Sequence, residues 1–362
     1  MKITFKNTPE QVELIKAAGS KNKVVSAEAM EALAAFVAPV AQQVLSTAGT
    51  SNLIFSQFTY NEDDSPSVPL DLFYNAASGL VTVWSQTIAG GLPSSQISGV
   101  EDLKIATFRL DSAISLSKKY ARRARLDVVA KSLTKMVNEV LIKKERNAWA
   151  ILLRAVAEGS TNGLAHVIAA TTANVFQVDD INRLLTRSKR INTGIDETTP
   201  DSGDSKGMTD LFCSPEVIEQ VRAMAYQPVN TRNGATTTSG ATSLALPDSI
   251  RSGMFNTGGV QEIFGVNLHE VYEFGDARRY NAIFKEYYTG SFTAATDQVA
   301  VGIDLTRETC LSPVAQNADT GATFEVMPDD QYVSRQDKLG FFGSQELGYV
   351  CLDSRNLVAI TI

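Results

Sequence analysis

The sequence predicts an α+β fold, and three observations indicate that class. The segment from Lys118 to Glu158 lacks proline and glycine, and its apolar residues recur at three- and four-residue spacing, as in a long amphipathic helix. Alternation of apolar and polar residues predicts strands before this helix, in residues 53–85 and 103–116. After Gly163, helical and strand-like segments mix without an internal repeat.

The N-terminal elements are predicted from caps and breakers. Thr8 is expected to cap a first helix that begins at Pro9 and ends at Gly19. Ser26 is expected to cap a second, alanine-rich helix over residues 27–45. Beyond this arm the alternation predicts three successive strands, at Leu53–Tyr60, Val68–Tyr74 and Leu80–Ser85.

These strands form a hairpin-like excursion of nearly fifty residues that is rich in large rings. A two-stranded ribbon is marginal in water by itself, so the rings need a surface that covers them. Two interpretations remain open: a hairpin packed on its own domain, or a hairpin buried by a neighbouring subunit. The rings in question are Phe55, Phe58, Tyr60, Phe73, Tyr74 and Trp84.

The long helix is predicted as one unbroken element, roughly 60 Å long at 1.5 Å per residue, with Ser117 as its cap. Its first 29 residues, Lys118–Arg146, are strongly basic, with ten lysines and arginines against three acids. The charge fits either a solvated helix face or a surface that neutralises phosphates without reading sequence. The densest part of the run is Lys118, Lys119, Arg122, Arg123 and Arg125.

The remaining elements follow from the same signals. Polar stretches at Thr193–Lys206 and Asn230–Ser243 are predicted as exposed loops. Helices are predicted after Asp179 and Ser214, and strands at Met208–Cys213, Val260–Glu273, Tyr280–Tyr288, Tyr349–Leu352 and Leu357–Ile360.

Composition narrows the class of protein. With 44% hydrophobic and 20% charged residues the chain has the composition of a folded protein, and its net charge of −7 excludes a dedicated nucleic-acid binder. The three cysteines, Cys213, Cys310 and Cys351, lie far apart and are predicted to be thiols in a reducing compartment. We expect no membrane contact, because the longest apolar run, residues 32–41, is shorter than the roughly 18 residues that a span needs.

The residues offer little to catalysis or to metal binding. The two histidines, His166 and His269, cannot supply a three-histidine site. His269-Glu270 begins like a zinc-protease motif, but Glu273 stands where the second histidine belongs, and the acidic loop at Asp201–Gly207 lacks the glycine and glutamate of a calcium loop. No phosphate-binding loop or nucleophile elbow is present. We therefore expect no enzyme, cofactor or metal.

Three local patterns, in this order and at these spacings, resemble the major capsid proteins of tailed bacteriophages, with the Hong Kong 97 coat fold. They are Ile114-Ser115-Leu116-Ser117 before the long helix, Phe274-Gly275-Asp276 after a strand, and the closing Gly348–Val358. The resemblance implies an N-terminal arm, an extended loop, a peripheral domain with the long helix as its spine, and an axial domain. The implied boundaries are 1–50 for the arm, 51–102 for the extended loop, 103–175 and 283–345 for the peripheral domain, and 176–282 and 346–362 for the axial domain.

The resemblance implies a function by assembly. Such subunits form pentamers and hexamers that close an icosahedral shell around double-stranded DNA, as the virion capsid assembled in the host cytoplasm. The extended loop would lie over a neighbouring subunit through the six rings above, and the five basic residues would face the DNA. The loop at Asn230–Ser243 would lie near the axis of a capsomer.

This chain departs from the family pattern in ways that affect the assembly partners we expect. Some members cross-link a lysine of the extended loop to an asparagine next door, but this chain has no lysine between Lys23 and Lys104. We therefore expect non-covalent cohesion or the help of a separate cement protein. Some members also carry a long N-terminal scaffolding segment that is cleaved off, but only about fifty residues precede the extended loop here, so we expect a separate scaffolding protein. The resemblance also implies a portal. Two alternatives remain open: an encapsulin-type nanocompartment shell, and a soluble α+β enzyme.

Overall fold

The computed structural model describes residues 8–69, 102–161, 163–192, 207–223, 262–306, 309–329 and 337–362. The chain divides into two compact units, each built from three segments. The first unit consists of Met1–Val68, Asp102–Ala148 and Cys310–Val350, and the second of Pro69–Glu101, Trp149–Thr309 and Cys351–Ile362. The finer boundaries that the sequence suggested remain predictions.

Two helices form the N-terminal part of the first unit. Helix α1 (Pro9–Ala18) starts with proline at its first turn, as predicted, although the Thr8 side chain makes no capping hydrogen bond. Helix α2 (Lys23–Thr47) begins earlier than predicted, because Asn22 and not Ser26 caps it. Ser26 lies inside the helix, where its Oγ donates a 2.7 Å hydrogen bond to the Ala18 carbonyl and joins the two helices.

The predicted strand at Leu53–Tyr60 is shorter in the structure. Its first residues belong to a helical turn, α3 (Ser51–Ile54), and strand β1 covers Ser56–Asn61. Two short strands, β2 (Ser67–Pro69) and β3 (Asp102–Lys104), pair with each other. The predicted strand at Leu80–Ser85 and most of Val68–Tyr74 lie outside the described residues.

The sheet of the first unit has the order β1-β12-β14-β13, and two further strands pair off this path, β4 with β14 and β15 with β12. Strand β4 runs antiparallel along the whole of β14, from Thr107 opposite Gly348 to Ser117 opposite Lys338. Strand β1 is parallel to β12. The strands are β4 (Thr107–Ser117), β12 (Cys310–Gln316), β13 (Glu325–Pro328), β14 (Lys338–Gly348) and the short β15 (Val350–Cys351).

The long helix is broken near its start, so the prediction of one element was wrong. Helix α4 (Lys118–Arg122) is capped by Ser117, as predicted, and α5 (Leu126–Glu158) follows, about 50 Å long at 1.5 Å per residue. Ala124 between them is left-handed, with φ 50°, and hydrogen bonds from Arg125 N–H to Tyr120 and from Ala124 N–H to Ala121 close a Schellman motif.

Tertiary packing accounts for this break, since the local sequence contains no helix breaker. The end of α1 lies so close to α4 that a Cβ on Gly19 would come within 2.8 Å of the Arg122 backbone nitrogen. The Arg122 Nε also donates a 2.8 Å hydrogen bond to the Gly19 carbonyl. These contacts fix α4 on α1.

The second unit contains a six-stranded sheet of order β7-β16-β11-β8-β10-β9. Its central strands are buried at every residue, which explains their continuous apolar sequences. The strands are β7 (Val167–Ala169), β8 (Asp210–Cys213), β9 (Glu262–Ile263), β10 (Val266–Glu270), β11 (Val299–Ile303) and β16 (Leu357–Thr361), and a separate pair is β5 (Ser160–Thr161) and β6 (Leu164–Ala165). The helices are α6 (Val178–Asn192), α7 (Pro215–Ala223) and α8 (Arg279–Tyr287).

Two strand predictions in this unit were wrong. Tyr280–Tyr288 is almost entirely helix α8, because Tyr280 and Phe284, four residues apart, are both buried on one helix face. The predicted strand at Val260–Glu273 is a hairpin of β9 and β10, whose turn at Phe264 and Gly265 has positive φ at both residues.

Candidate functional site

A buried polar cluster in the first unit holds the end of the arm to the long helix, and we call it the junction cluster (residues 45–52 with Lys144 and Glu145). Lys144 is only 1% exposed, and its Nζ donates hydrogen bonds to the Leu45 carbonyl (2.8 Å) and to Asn52 Oδ1 (2.9 Å). Burial lowers the pKa of Lys144 to about 8. The lysine therefore joins the last turn of α2 to the start of α3.

Glu145 holds the other side of the same connection. Its carboxylate accepts hydrogen bonds from the Ser51 backbone (3.0 Å), the Ser51 hydroxyl (2.6 Å) and the Thr50 hydroxyl (2.8 Å). Gly49 has φ 101°, and a Cβ there would collide with the Glu145 carboxylate. The cluster thus fixes the direction in which the chain leaves the arm and enters β1.

Sequence reasoning missed this cluster, because it counted Lys144 among the charges of a basic helix. A signal was present: Lys144 is in phase with the apolar stripe of α5, four residues after Val140 and seven after Val137, both buried. A lysine on the buried face of a helix needs a partner, and this one has two.

The five basic residues proposed for DNA contact do not form one surface. Lys118 is 4% exposed and lies 3.3 Å from Ser26 Oγ, so it belongs to the interior and not to a DNA-facing surface. Arg122 forms a 2.8 Å ion pair with Asp337. Lys119, Arg123 and Arg125 are exposed around the helix break, and we call these three the basic break.

Farther along α5 the exposed face carries charges of both signs. The exposed acids Asp127 and Glu139 each lie four residues from an exposed lysine. This part of the helix fits the solvated-face interpretation and not a uniformly basic one. We call its exposed basic residues, Lys131, Lys135 and Lys143, the α5 lysines.

The rings predicted for inter-subunit contact fall into two groups. Phe55 is 2% exposed, with its ring 4.9 Å from that of Tyr349, so it is a core residue of its own unit. Phe58 and Tyr60 are half-buried, and the Tyr60 hydroxyl donates to Glu346 Oε1 at 3.0 Å. Burial raises the pKa of Tyr60 to about 12. Phe73, Tyr74 and Trp84 lie outside the described residues, as does the loop Asn230–Ser243.

Both histidines have structural partners in the second unit. His166 is 0% exposed, with Nε2 2.9 Å from Thr161 Oγ1. His269 lies on β10, a strand as predicted, where Nε2 is 2.7 Å from Asp210 Oδ1 and the ring stacks on Phe212. Within the described residues, no group of three or more His, Cys, Asp or Glu side chains is placed to hold a metal ion.

Comparison with known proteins gives similarity in structure only. No protein-family model matches the chain, and no curated protein matches its sequence. A solved structure of Microbacterium phage Oxtober96 is 13% identical and similar at a TM-score of 0.49, over 87% of this chain and 91% of that one. The capsid structure of Cyanophage P-SCSP1u is 13% identical at a TM-score of 0.47, over 85% and 86%.

An encapsulin is also similar. The SrpI encapsulin of Synechococcus elongatus is 10% identical at a TM-score of 0.40, over 72% of this chain and 74% of that one. All three TM-scores lie below 0.5, so the function of this chain has to follow from its own residues.

Proposed function

We propose that the chain is the major capsid protein of a tailed bacteriophage, which assembles through pentamers and hexamers into an icosahedral shell around double-stranded DNA. One observation carries the proposal: the described residues on either side of the segment 70–101 meet, because β2 pairs with β3. The Ile105 N–H donates a 2.9 Å hydrogen bond to the Pro66 carbonyl at the same point.

The sequence between these two strands is unusual. Residues 72–100 contain no Asp, Glu, Lys or Arg, and they include Phe73, Tyr74 and Trp84. The sequence predicts strands in this segment, and a two-stranded hairpin tied at its base has little surface of its own with which to cover such rings. In a shell, a neighbouring subunit supplies that surface, so the excursion serves as an inter-subunit contact.

The rest of the first unit supports this interpretation. Its elements follow the order that the resemblance implies: arm, excursion, strand β4, long helix, and the returning strands β12 to β14. The junction cluster ties the arm to the long helix, so that the root of the excursion starts from a fixed position. We assign the basic break a lesser role, as diffuse counter-charge to packaged DNA.

Microscopy and light scattering of the protein, expressed alone and with a candidate scaffolding protein, test the proposal. Closed shells or tubes support it, and genome-length DNA protected from nuclease inside them separates a capsid from an encapsulin-type compartment with protein cargo. A compact monomer under both conditions would contradict it. Free pentamers or hexamers would support the assembly class and indicate a missing scaffolding, portal or cement partner.

A further inference from the structure

The junction cluster places a buried amine against a side-chain amide, and the two groups are close enough to react. Lys144 Nζ lies 2.9 Å from Asn52 Oδ1. Because a carbonyl bond is about 1.2 Å long, Nζ is at most about 4.1 Å from the amide carbon, Asn52 Cγ. A side-chain rotation of less than about 1 Å brings the two atoms to the roughly 3–3.5 Å from which an amine attacks.

The cluster holds the amide in position beside the amine. Asn52 Nδ2 donates hydrogen bonds to the Leu45 carbonyl (3.1 Å) and to the Ala48 carbonyl. Lys144 Nζ donates to the same Leu45 oxygen at 2.8 Å, so one oxygen holds both the amine and the amide nitrogen. Fixed proximity of this kind lowers the entropic cost of bringing two reacting groups together.

The amide oxygen also has a donor that remains in place when the amine attacks. Gln57 Nε2 donates to Asn52 Oδ1 at 2.6 Å. When Asn52 Cγ becomes tetrahedral, Oδ1 carries negative charge, and a donor that is already positioned stabilises that charge. Gln57 therefore lies where an oxyanion donor is needed.

The amine can lose the proton that blocks its attack. Burial lowers the pKa of Lys144 to about 8, so that about one chain in ten carries the neutral amine at about pH 7. The carboxylate of Glu145, the next residue, belongs to the same cluster, and its charge acts on Lys144. A carboxylate in this place can take protons from the amine and pass them to the leaving nitrogen.

We infer that Lys144 and Asn52 form an isopeptide bond within the folded chain. The neutral Nζ attacks Cγ, the Cγ–Nδ2 bond breaks, and both protons that Nζ gives up end on Nδ2, carried by Glu145. An ammonium and a carboxamide thus become a secondary amide and a free ammonium ion, and no electrons are exchanged with another molecule. The hydrogen-bonded pair in the structure is the state before this reaction.

The bond would give the junction cluster a covalent form. It joins two residues that are 92 apart in sequence and closes a loop that contains the whole segment 70–101. The inference goes beyond the proposed function, because both residues belong to one chain and the reaction does not require assembly.

Mass spectrometry of the purified full chain tests the inference. The folded chain is kept at about pH 9, where most of Lys144 is neutral, and is then digested. We expect one peptide that joins the residues around Asn52 to those around Lys144 and is lighter than the two separate peptides by one ammonia molecule. Recovery of the two peptides only as separate species would overturn the inference.

Lys118 is the matched internal control. It is also buried, at 4% exposed, but its Nζ lies 3.3 Å from the hydroxyl of Ser26, which has no acyl carbon to attack. We expect its peptide to remain unlinked. Equal cross-linking of Lys118 and Lys144 would contradict a specific site.

The rate of bond formation, followed after dilution of the chain out of urea, tests the roles of the residues. The rate should be about tenfold higher at about pH 9 than at about pH 7, in step with the neutral fraction of Lys144, and a rate independent of pH would contradict an attacking amine. Gln57→Ala changes an exposed residue, so it should keep the melting temperature and slow the reaction about tenfold or more. An unchanged rate would overturn the oxyanion role of Gln57.

A final variant identifies the amine. Lys144→Arg keeps a positive charge and hydrogen-bond donors, but a guanidinium stays protonated and does not attack an amide. We expect this variant to lose the linked peptide completely. The same loss of ammonia from the Asn52 peptide in this variant would overturn the assignment to Lys144.

Discussion

His166 is a histidine that the fold holds neutral, and this makes the second unit sensitive to acid. The side chain is 0% exposed and its Nε2 lies 2.9 Å from Thr161 Oγ1. Burial, and after it the positive charge of Arg187, lower the pKa of His166 from its ordinary 6.5 to about 4. We predict that the second unit loses stability as this side chain is protonated.

The sign follows from proton binding in the two states. Because the folded pKa lies below the unfolded one, the unfolded chain binds more protons between pH 6.5 and about pH 4. The contribution of His166 is therefore complete above pH 6.5 and is lost as the pH falls toward 4. At about 1.4 kcal/mol for each pH unit, the loss across this window is about 3 kcal/mol.

Trp149 provides a local signal for the assay, because its ring lies 5.4 Å from that of Phe212 and 5.2 Å from that of Phe274 in the second unit. Replacing the other of the two tryptophans, Trp84→Phe, leaves Trp149 as the sole tryptophan, whose fluorescence is excited apart from that of the tyrosines. In that background, urea unfolding is followed at about pH 7 and about pH 4.5 for His166 and for His166→Gln, which keeps a polar group without titrating.

Between these two pH values we expect the histidine protein to lose about 2–3 kcal/mol more than the glutamine variant. Comparing the two proteins removes the contribution of the many carboxylates, which titrate alike in both. Equal losses in the two proteins would refute the assignment of acid sensitivity to His166. A larger loss in the glutamine variant would refute its sign.

Substitutions at the helix break, in the junction cluster and in the basic break test the other physical arguments. Ala124→Gly should raise the free energy of unfolding by about 0.5–1 kcal/mol in urea, because alanine at φ 50° is strained, whereas Ala130→Gly inside α5 should lower it by about 1 kcal/mol. Gly49→Ala should lower it by about 2 kcal/mol or more, because the new Cβ meets Glu145, and unchanged stability would contradict this. Replacing the three residues of the basic break by glutamate should reduce nuclease-protected DNA per particle at unchanged shell yield. The same change at the α5 lysines is the control and should reduce the DNA less. Equal DNA content in the two variants would contradict a role of the basic break in DNA contact.

Local sequence signals predicted the elements that are determined by residues close to them in the sequence. Proline at the start of α1 and the serine that caps α4 specify helix ends through bonds within a few residues, and both predictions were confirmed. The buried strands β8 and β16 could be predicted because their apolar runs are short and bounded by turn residues.

The predictions failed where contacts between residues far apart in sequence determine the structure. Ala124 carries no signal of a helix break, because the break depends on the contact of Arg122 with Gly19, far away in sequence. Lys118 and Lys144 look like surface residues of a basic helix until the arm packs over them. A count of charges along a helix gives its net charge, but the faces that carry the charge depend on tertiary packing.

The junction cluster fixes the local geometry of the first unit at a cost in folding stability. At neutral pH the folded chain keeps Lys144 charged although its pKa is lowered from 10.5 to about 8, which costs about 3 kcal/mol relative to a hydrated lysine. An apolar side chain would avoid that cost, but it would not donate to both Leu45 and Asn52. Under the proposed function the excursion contacts a neighbouring subunit, and an error in the direction of its root would be multiplied along its length. The fixed geometry that the buried ammonium provides, by binding both sides of the connection, then outweighs the folding stability that it costs.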